Sequence, residues 1–152
     1  MSVIFRKGVL AEVRSALVLQ QLHWDEVVRD DRELEVDWET FFKLESLGKL
    51  ITLLALEHSD VVGYAVFIVV KHPHSMKTII AQNDVVFIRK DKRNGGVGYR
   101  FLKFCDDELR RSGIDMVTWH IKPATDFSPV VLKLGYHLHE TIYAKHLGEK
   151  EK

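Results

Sequence analysis

The stretch Arg93-Asn94-Gly95-Gly96-Val97-Gly98 is where the chain could do chemistry. It lies between an apolar run, Asp84 to Ile88, that reads as a buried strand and an amphipathic helix that begins near Gly98. A glycine-rich turn between a strand and a helix bares backbone N–H groups at the positive end of a helix dipole. Such a turn can hold a phosphate or pyrophosphate. Arg89, Lys90, Lys92 and Arg93 precede the turn and would attract an anion.

Two phosphate-binding patterns fail here. A P-loop needs Gly-Lys followed by Ser or Thr, but Tyr99-Arg100 follow Gly98. The dinucleotide fingerprint needs a third glycine three residues on, where Phe101 stands.

The elements that would position the turn can be read on either side of it. Val9 to about Trp24 reads as a helix, with Leu10, Val13, Leu17 and Leu22 near helical spacing. Asp37 could cap a second helix carrying Trp38, Phe41, Phe42, Leu44 and Leu47. Ile51–Glu57 and Val61–Val70 are apolar and β-branched around His58-Ser59-Asp60, a hairpin signal. Lys71 to Lys77 reads as a loop, and Lys77 to Ile88 as a third strand. The helix after the turn puts Val97, Phe101, Phe104, Cys105 and Leu109 on one face and stops at Gly113. Ile114 to Ile121 reads as a strand. Ser128-Pro129 opens a short helix as N-cap and first residue, and Gly135 ends it. Tyr136 to Leu147 alternates and reads as a final strand or strand pair.

Composition bounds the rest. The chain has 152 residues, 46% hydrophobic and 29% charged, which suits one domain over 1–152 with its own core. Lys+Arg and Asp+Glu are 22 each, so a general nucleic-acid binder is disfavoured. Cys105 is the only cysteine, which excludes a disulfide within the chain, and its face predicts a buried core thiol. Met1 to Leu10 has no apolar signal-peptide segment, and Val61–Val70 is about half of a bilayer span; a cytoplasmic protein with no membrane role is expected. His72 and His74, and His137 and His139, form pairs, but no cysteine or carboxylate set completes a metal site.

Arg93, Gly96 and Gly98 make an Arg-x-x-Gly-x-Gly turn after a strand, which resembles the acetyl-CoA signature of the GNAT superfamily of N-acyltransferases. The order helix, helix, three strands, turn, helix, strand, helix, strand resembles that family over nearly the whole chain. Leu134-Gly135-Tyr136 looks like the Gly-Phe/Tyr that follows its last helix. The resemblance implies an α/β (α+β) fold: a mixed, mostly antiparallel sheet splayed at the cofactor site and flanked by about four helices. It implies that acetyl-CoA is the cosubstrate, with no metal. The amides of Asn94, Gly95, Gly96, Val97, Gly98 and Tyr99, with Arg93, would grip the pyrophosphate, and the backbone of Val86, Phe87 and Ile88 would pair with the pantetheine arm.

Direct transfer to an amine requires a neutral nitrogen, so a base must remove a proton. Asp84, at the start of the apolar run, matches a position where several GNAT enzymes place a catalytic Glu. His120, near the end of the next strand, titrates near neutrality when unperturbed and is the second candidate base. Tyr143, on the final strand, is a spare candidate acid. The strand backbone would hold the oxyanion of a tetrahedral intermediate.

Two family positions differ. Ala124 stands where many members carry Asn, and Val131 stands where many carry the Tyr that protonates the departing thiolate. These departures leave an alternative, a catalytically weak protein-binding or regulatory module on the same scaffold. The acceptor would be an amine of a small molecule or protein. The acidic stretch Asp25 to Glu39 could line its entrance and favour a cation, or be a solvated helix surface. The alternating C-terminal strand could pair across a homodimer.

Overall fold

A computed structural model of the chain describes residues 2–27 and 34–148. Five strands form one open sheet in the order β1-β2-β3-β4-β5. The strands are β1 (Val3–Gly8), β2 (Leu50–Glu57), β3 (Asp60–His72), β4 (Ser75–Ile88) and β5 (Met116–Thr118). The first four are antiparallel neighbours, and β5 joins β4 in parallel. Five helices flank the sheet: α1 (Leu10–Ser15), α2 (Leu17–Val27), α3 (Trp38–Ser46), α4 (Val97–Arg111) and α5 (Ser128–Lys133).

Each face of the sheet has its own core. On one, Leu53, Ala55 and Phe67 pack against Phe101, Cys105 and Leu109 of α4. On the other, Leu54, Tyr64, Val66 and Phe87 pack against Leu10, Val13 and Leu19 of α1 and α2. The alternation of a strand with both faces covered explains the continuous apolar runs of β2 and β3. Cys105 is fully buried, as its helix face predicts.

Several boundaries differ from expectation. The N-terminal strand β1 was read as neither strand nor helix. Arg6 and Lys7 mask the Val3–Phe5 alternation that packs this strand on α4, through Phe5 stacked near Phe101 and Phe104. The single helix expected from Val9 to Trp24 breaks at Ala16, where φ −84°, ψ 58° leaves the helical region. Leu10 and Val13 therefore stay buried, while Leu17 and Leu22 turn out to solvent. The loop expected over Lys71–Lys77 is a tight turn, because β3 and β4 run on to pair His72 with Ser75. Ser128 is not the cap of α5 but its first residue; Phe127 holds the cap position, and the Ser128 N–H donates to Asp126 Oδ1 at 2.8 Å.

The largest departure is at the C-terminus. Residues 136–148 form no strand, and Leu138, Ile142, Tyr143 and Leu147 are exposed. The short β5 offers only three paired residues, all engaged with β4, and no ladder continues from it among the described residues.

Candidate active site

The separation of β4 from β5 builds the site. The parallel pairing covers only Ile80–Gln82 against Met116–Thr118. β4 continues six residues further, to Ile88, with β3 on one side and a gap on the other. The N–H of Arg89 donates to Val62 O across β3 at 2.8 Å. By antiparallel alternation Phe87, opposite Tyr64, also turns its backbone toward β3, whereas Val86 and Ile88 turn theirs into the gap. Ile88 O is already taken by Arg93 Nε at 2.7 Å. Val86 therefore offers both a donor and an acceptor to a chain entering the gap.

The glycine turn closes one end of this gap. Gly95 and Gly96 have φ of 64° and 75°, a left-handed pair that side-chain-bearing residues adopt only with strain. The chain can thus reverse into α4 with its first amides outward. Among the described residues, no hydrogen bond occupies the N–H groups of Gly98 and Tyr99. A Cβ added at Gly98 would meet nothing within 4 Å, so the turn is an open surface. With the dipole of a 15-residue helix behind it, this is a fitting seat for a phosphate.

The basic cluster is mostly committed to protein partners. Arg89 pairs with Asp91 at 2.7 Å, Lys92 with Glu57 at 2.7 Å, and Arg93 with Glu26 at 2.9 Å. Arg93 also lies 5.2 Å over the Phe87 ring. Its guanidinium thus ties the turn to β4 and α2. Lys90 has no ion pair among the described residues and lines the cleft, which makes it the available cation.

Two concavities meet here. A cleft of about 590 Å³ runs from Lys90, Arg93 and Gly98 past Leu102 to Phe127 and Val130. A second, of about 430 Å³, is lined by His23, Asp84 and His120 and also by Leu10 and Val13. Val27, Val86, Thr125 and Phe127 line both, so the two adjoin at the split in the sheet. Val86, Phe87, Ile88, Arg93 and Gly98 line the first cleft; Val97 is buried and Tyr99 is partly exposed.

Asp84 owes its place to a β-bulge. Val66 pairs with Val85 and Phe67 with Asn83, so Asp84 is the extra residue of β4. Asn83 holds the bulge: its side-chain amide donates to Val85 O at 2.9 Å. The expectation that Asp84 starts a strand is corrected, because the strand begins nine residues earlier. Asp84 is accessible from within the second cavity yet surrounded by protein. That crowding raises its carboxyl above the usual range, against an opposing pull from His120. His120 follows β5, its Nε2 3.1 Å from Thr118 Oγ1.

The sequence gave no sign of His23. Its Nδ1 lies 2.8 Å from Tyr64 Oη, and its ring stacks on Phe87 at 4.8 Å and 16°. Burial pulls it down to about 4, with Glu26 opposing, so it is neutral at physiological pH. Only the docking of α2 on the sheet brings these rings together.

Val131 is buried rather than on the cleft; its neighbour Val130 is the α5 residue that faces it. Gly135, at φ 94°, caps α5, with the Tyr136 N–H donating to Val131 O at 3.1 Å. The Tyr136 hydroxyl donates to Asp106 of α4. The spare candidate Tyr143 lies in the strandless C-terminal segment, 93% exposed, and lines neither cavity. No group of three or more metal-binding side chains occurs among the described residues. None of their helices is long and apolar enough to cross a membrane.

Neither a family model nor a curated protein sequence matches the chain. Solved structures do. One is a predicted acetyltransferase from Clostridium acetobutylicum with acetyl-CoA, at TM-score 0.74 and 14% identity over 96% of this chain and 97% of that one. A ribosomal-protein-alanine N-acetyltransferase from Brucella melitensis reaches 0.76 and 14% over 98% and 100%. An aminoglycoside acetyltransferase from an uncultured soil metagenomic sample reaches 0.72 and 13% over 97% and 97%. Together with the split sheet and the glycine turn, these likenesses give the chain the fold of the GNAT acetyltransferases.

Proposed function

We propose that the protein transfers an acetyl group from acetyl-CoA to an amine by direct attack. The observation that carries this reading is the adjacency of the two cavities at Val86, with the glycine turn on the first and Asp84 on the second. The cleft suits a phosphate-bearing donor: Gly98 and Tyr99 offer amides, Lys90 a charge, and Val86 a backbone donor and acceptor for an extended amide arm. The second cavity suits the acceptor.

In the net reaction a C–N bond forms, the thioester C–S bond breaks, and CoA leaves as the thiol. The ammonium nitrogen loses two protons, one ending on sulfur and one on a base or solvent. Asp84 is the favoured base, acting directly or through water, because its raised carboxyl sits closer to the working pH than an ordinary aspartate. His120 lines the same cavity and is the second candidate. No tyrosine lines the donor cleft, so water or bulk exchange would return the proton to sulfur.

Calorimetric titration with acetyl-CoA, followed by thiol release with an amine panel, tests the reading. Binding with turnover that depends on Asp84 supports it. Binding without turnover on any amine favours the regulatory module instead, an alternative motivated by the departures at Ala124 and Val131.

A further inference from the structure

The acidic stretch could make a polycation the natural acceptor, yet the structure engages three of its described carboxylates elsewhere, while Glu35 lines the second cavity. Asp37 accepts from Thr40 N at 3.1 Å as the cap of α3, Glu26 pairs with Arg93, and Asp25 accepts from Gln21 at 2.8 Å. Asp30, Asp31 and Glu33 lie outside the described residues. The second cavity itself is predominantly apolar. Val13, Trp24, Trp38, Phe41, Val66 and Phe127 are part of its wall, with the core residue Leu10. An apolar, aromatic wall suits an apolar group on the ligand.

Polar groups line it too, among them Gln20, whose side chain donates to Val13 O, and Asp84, His120 and Lys122. Asp84 has neither an ion pair nor a hydrogen bond among the described residues, and it faces the cavity. Lys122 lines the same wall and would repel a second ammonium. His23 is neutral and adds no charge. An unpaired carboxylate backed by an aromatic chamber defines the ligand.

We infer that the acceptor is a primary amine bearing an aromatic or bulky apolar group. That group is held against Trp38 and Phe41, with the nitrogen at Asp84. The inference rests on the acetyl-transfer reading for its chemistry but is separable from it by binding.

The test uses the full chain with 2-phenylethylamine and spermidine as probes. Calorimetry reads binding, and thiol release from acetyl-CoA reads transfer. 2-Phenylethylamine should be acetylated with kcat/KM about tenfold or more above that of spermidine, since an apolar group well housed in a pocket discriminates by that order. Phe41→Ala should weaken 2-phenylethylamine binding about tenfold and leave acetyl-CoA binding unchanged. If that variant does not fold, Phe41→Leu carries the same test with a smaller loss. Transfer to spermidine in preference to 2-phenylethylamine would overturn the inference and leave the acetyltransferase reading intact. So would 2-phenylethylamine affinity indifferent to Phe41. Phe41-dependent binding of 2-phenylethylamine with no transfer to either amine supports the assigned chamber and counts against the enzyme.

Discussion

The donor cleft and the acceptor cavity are built in opposite ways. The cleft is backbone: free amides of Gly98 and Tyr99, the unpaired edge of β4 at Val86, and the left-handed turn at Gly95-Gly96. It is assembled from one continuous segment of about fifteen residues. The cavity is side chains, drawn from α1, α2, α3, β3, β4 and the segment after β5. A backbone site tolerates side-chain change and fixes a cosubstrate; a side-chain site can be re-lined without disturbing it. The comparison teaches that cosubstrate and acceptor specificity are separable in this molecule.

The comparison can be broken most sharply at Asp84, which lines the acceptor cavity with no ion pair or hydrogen bond among the described residues. Asp84→Asn should lower kcat/KM by about two to four decades while acetyl-CoA affinity holds. Its sign in stability is opposite. A carboxyl raised in the folded state favours folding at low pH and loses that contribution as pH rises through the folded value. The amide should therefore raise Tm slightly at neutral pH, and a Tm series against pH checks it. Equal loss of cosubstrate binding would show that the two regions are not independent.

A second test falls on the acceptor floor. His23 is depressed from 6.5 to about 4 in the folded state, so the unfolded chain binds the extra proton first. Its contribution is present above pH 6.5 and is lost as pH falls toward 4, on the order of 3 kcal/mol in all. Urea unfolding from pH 7.5 to 4 should show this slope, and His23→Gln should flatten it while keeping a partner for Tyr64.

On the donor side, Gly98→Val fills the open face of the turn without demanding a left-handed backbone. Acetyl-CoA affinity should fall about thirtyfold, equivalent to about one charge-assisted hydrogen bond, with Tm nearly unchanged. A conservative change of the Val86 side chain, such as Val86→Ile, should leave affinity within about twofold, because its contribution is through the backbone. A larger loss would place side chains in the donor site.

The smallest expected effect concerns the missing acid. Val130→Tyr puts a hydroxyl on the cleft and should raise turnover severalfold if proton return to sulfur limits the rate. Val131→Tyr instead overpacks a buried position and should cost about 1–3 kcal/mol in unfolding free energy. Equal kinetic responses at 130 and 131 would contradict the assignment of Val130 as the cleft-facing residue.

The donor half was legible because its information is local. Glycines at fixed spacing, a β-branched strand before them and an amphipathic helix after them name a strand-turn-helix phosphate seat without reference to distant residues. The end of α5 was legible for the same reason, since Gly135 alone marks a left-handed cap. The strand from Val3 to Gly8 was missed because alternation over so few residues is outweighed by two adjacent charges, and only its pairing with β2 decides it. The C-terminal strand was expected from alternation, a pattern that a strand needs but that does not supply a neighbour to pair with.

The sequence by itself determined the strand-turn-helix around the glycines and the buried thiol at Cys105, because each follows from residue type and short-range spacing. Only the tertiary structure decided which cation near the turn is available, since the partners of Arg89, Lys92 and Arg93 are set by packing. It also decided that Asp84 occupies a bulge, that Val130 rather than Val131 faces the cleft, and that His23 meets Tyr64 across 41 residues of chain. Register and helix rotation turn on a shift of a single residue, and the packed core, not the local sequence, selects among the alternatives.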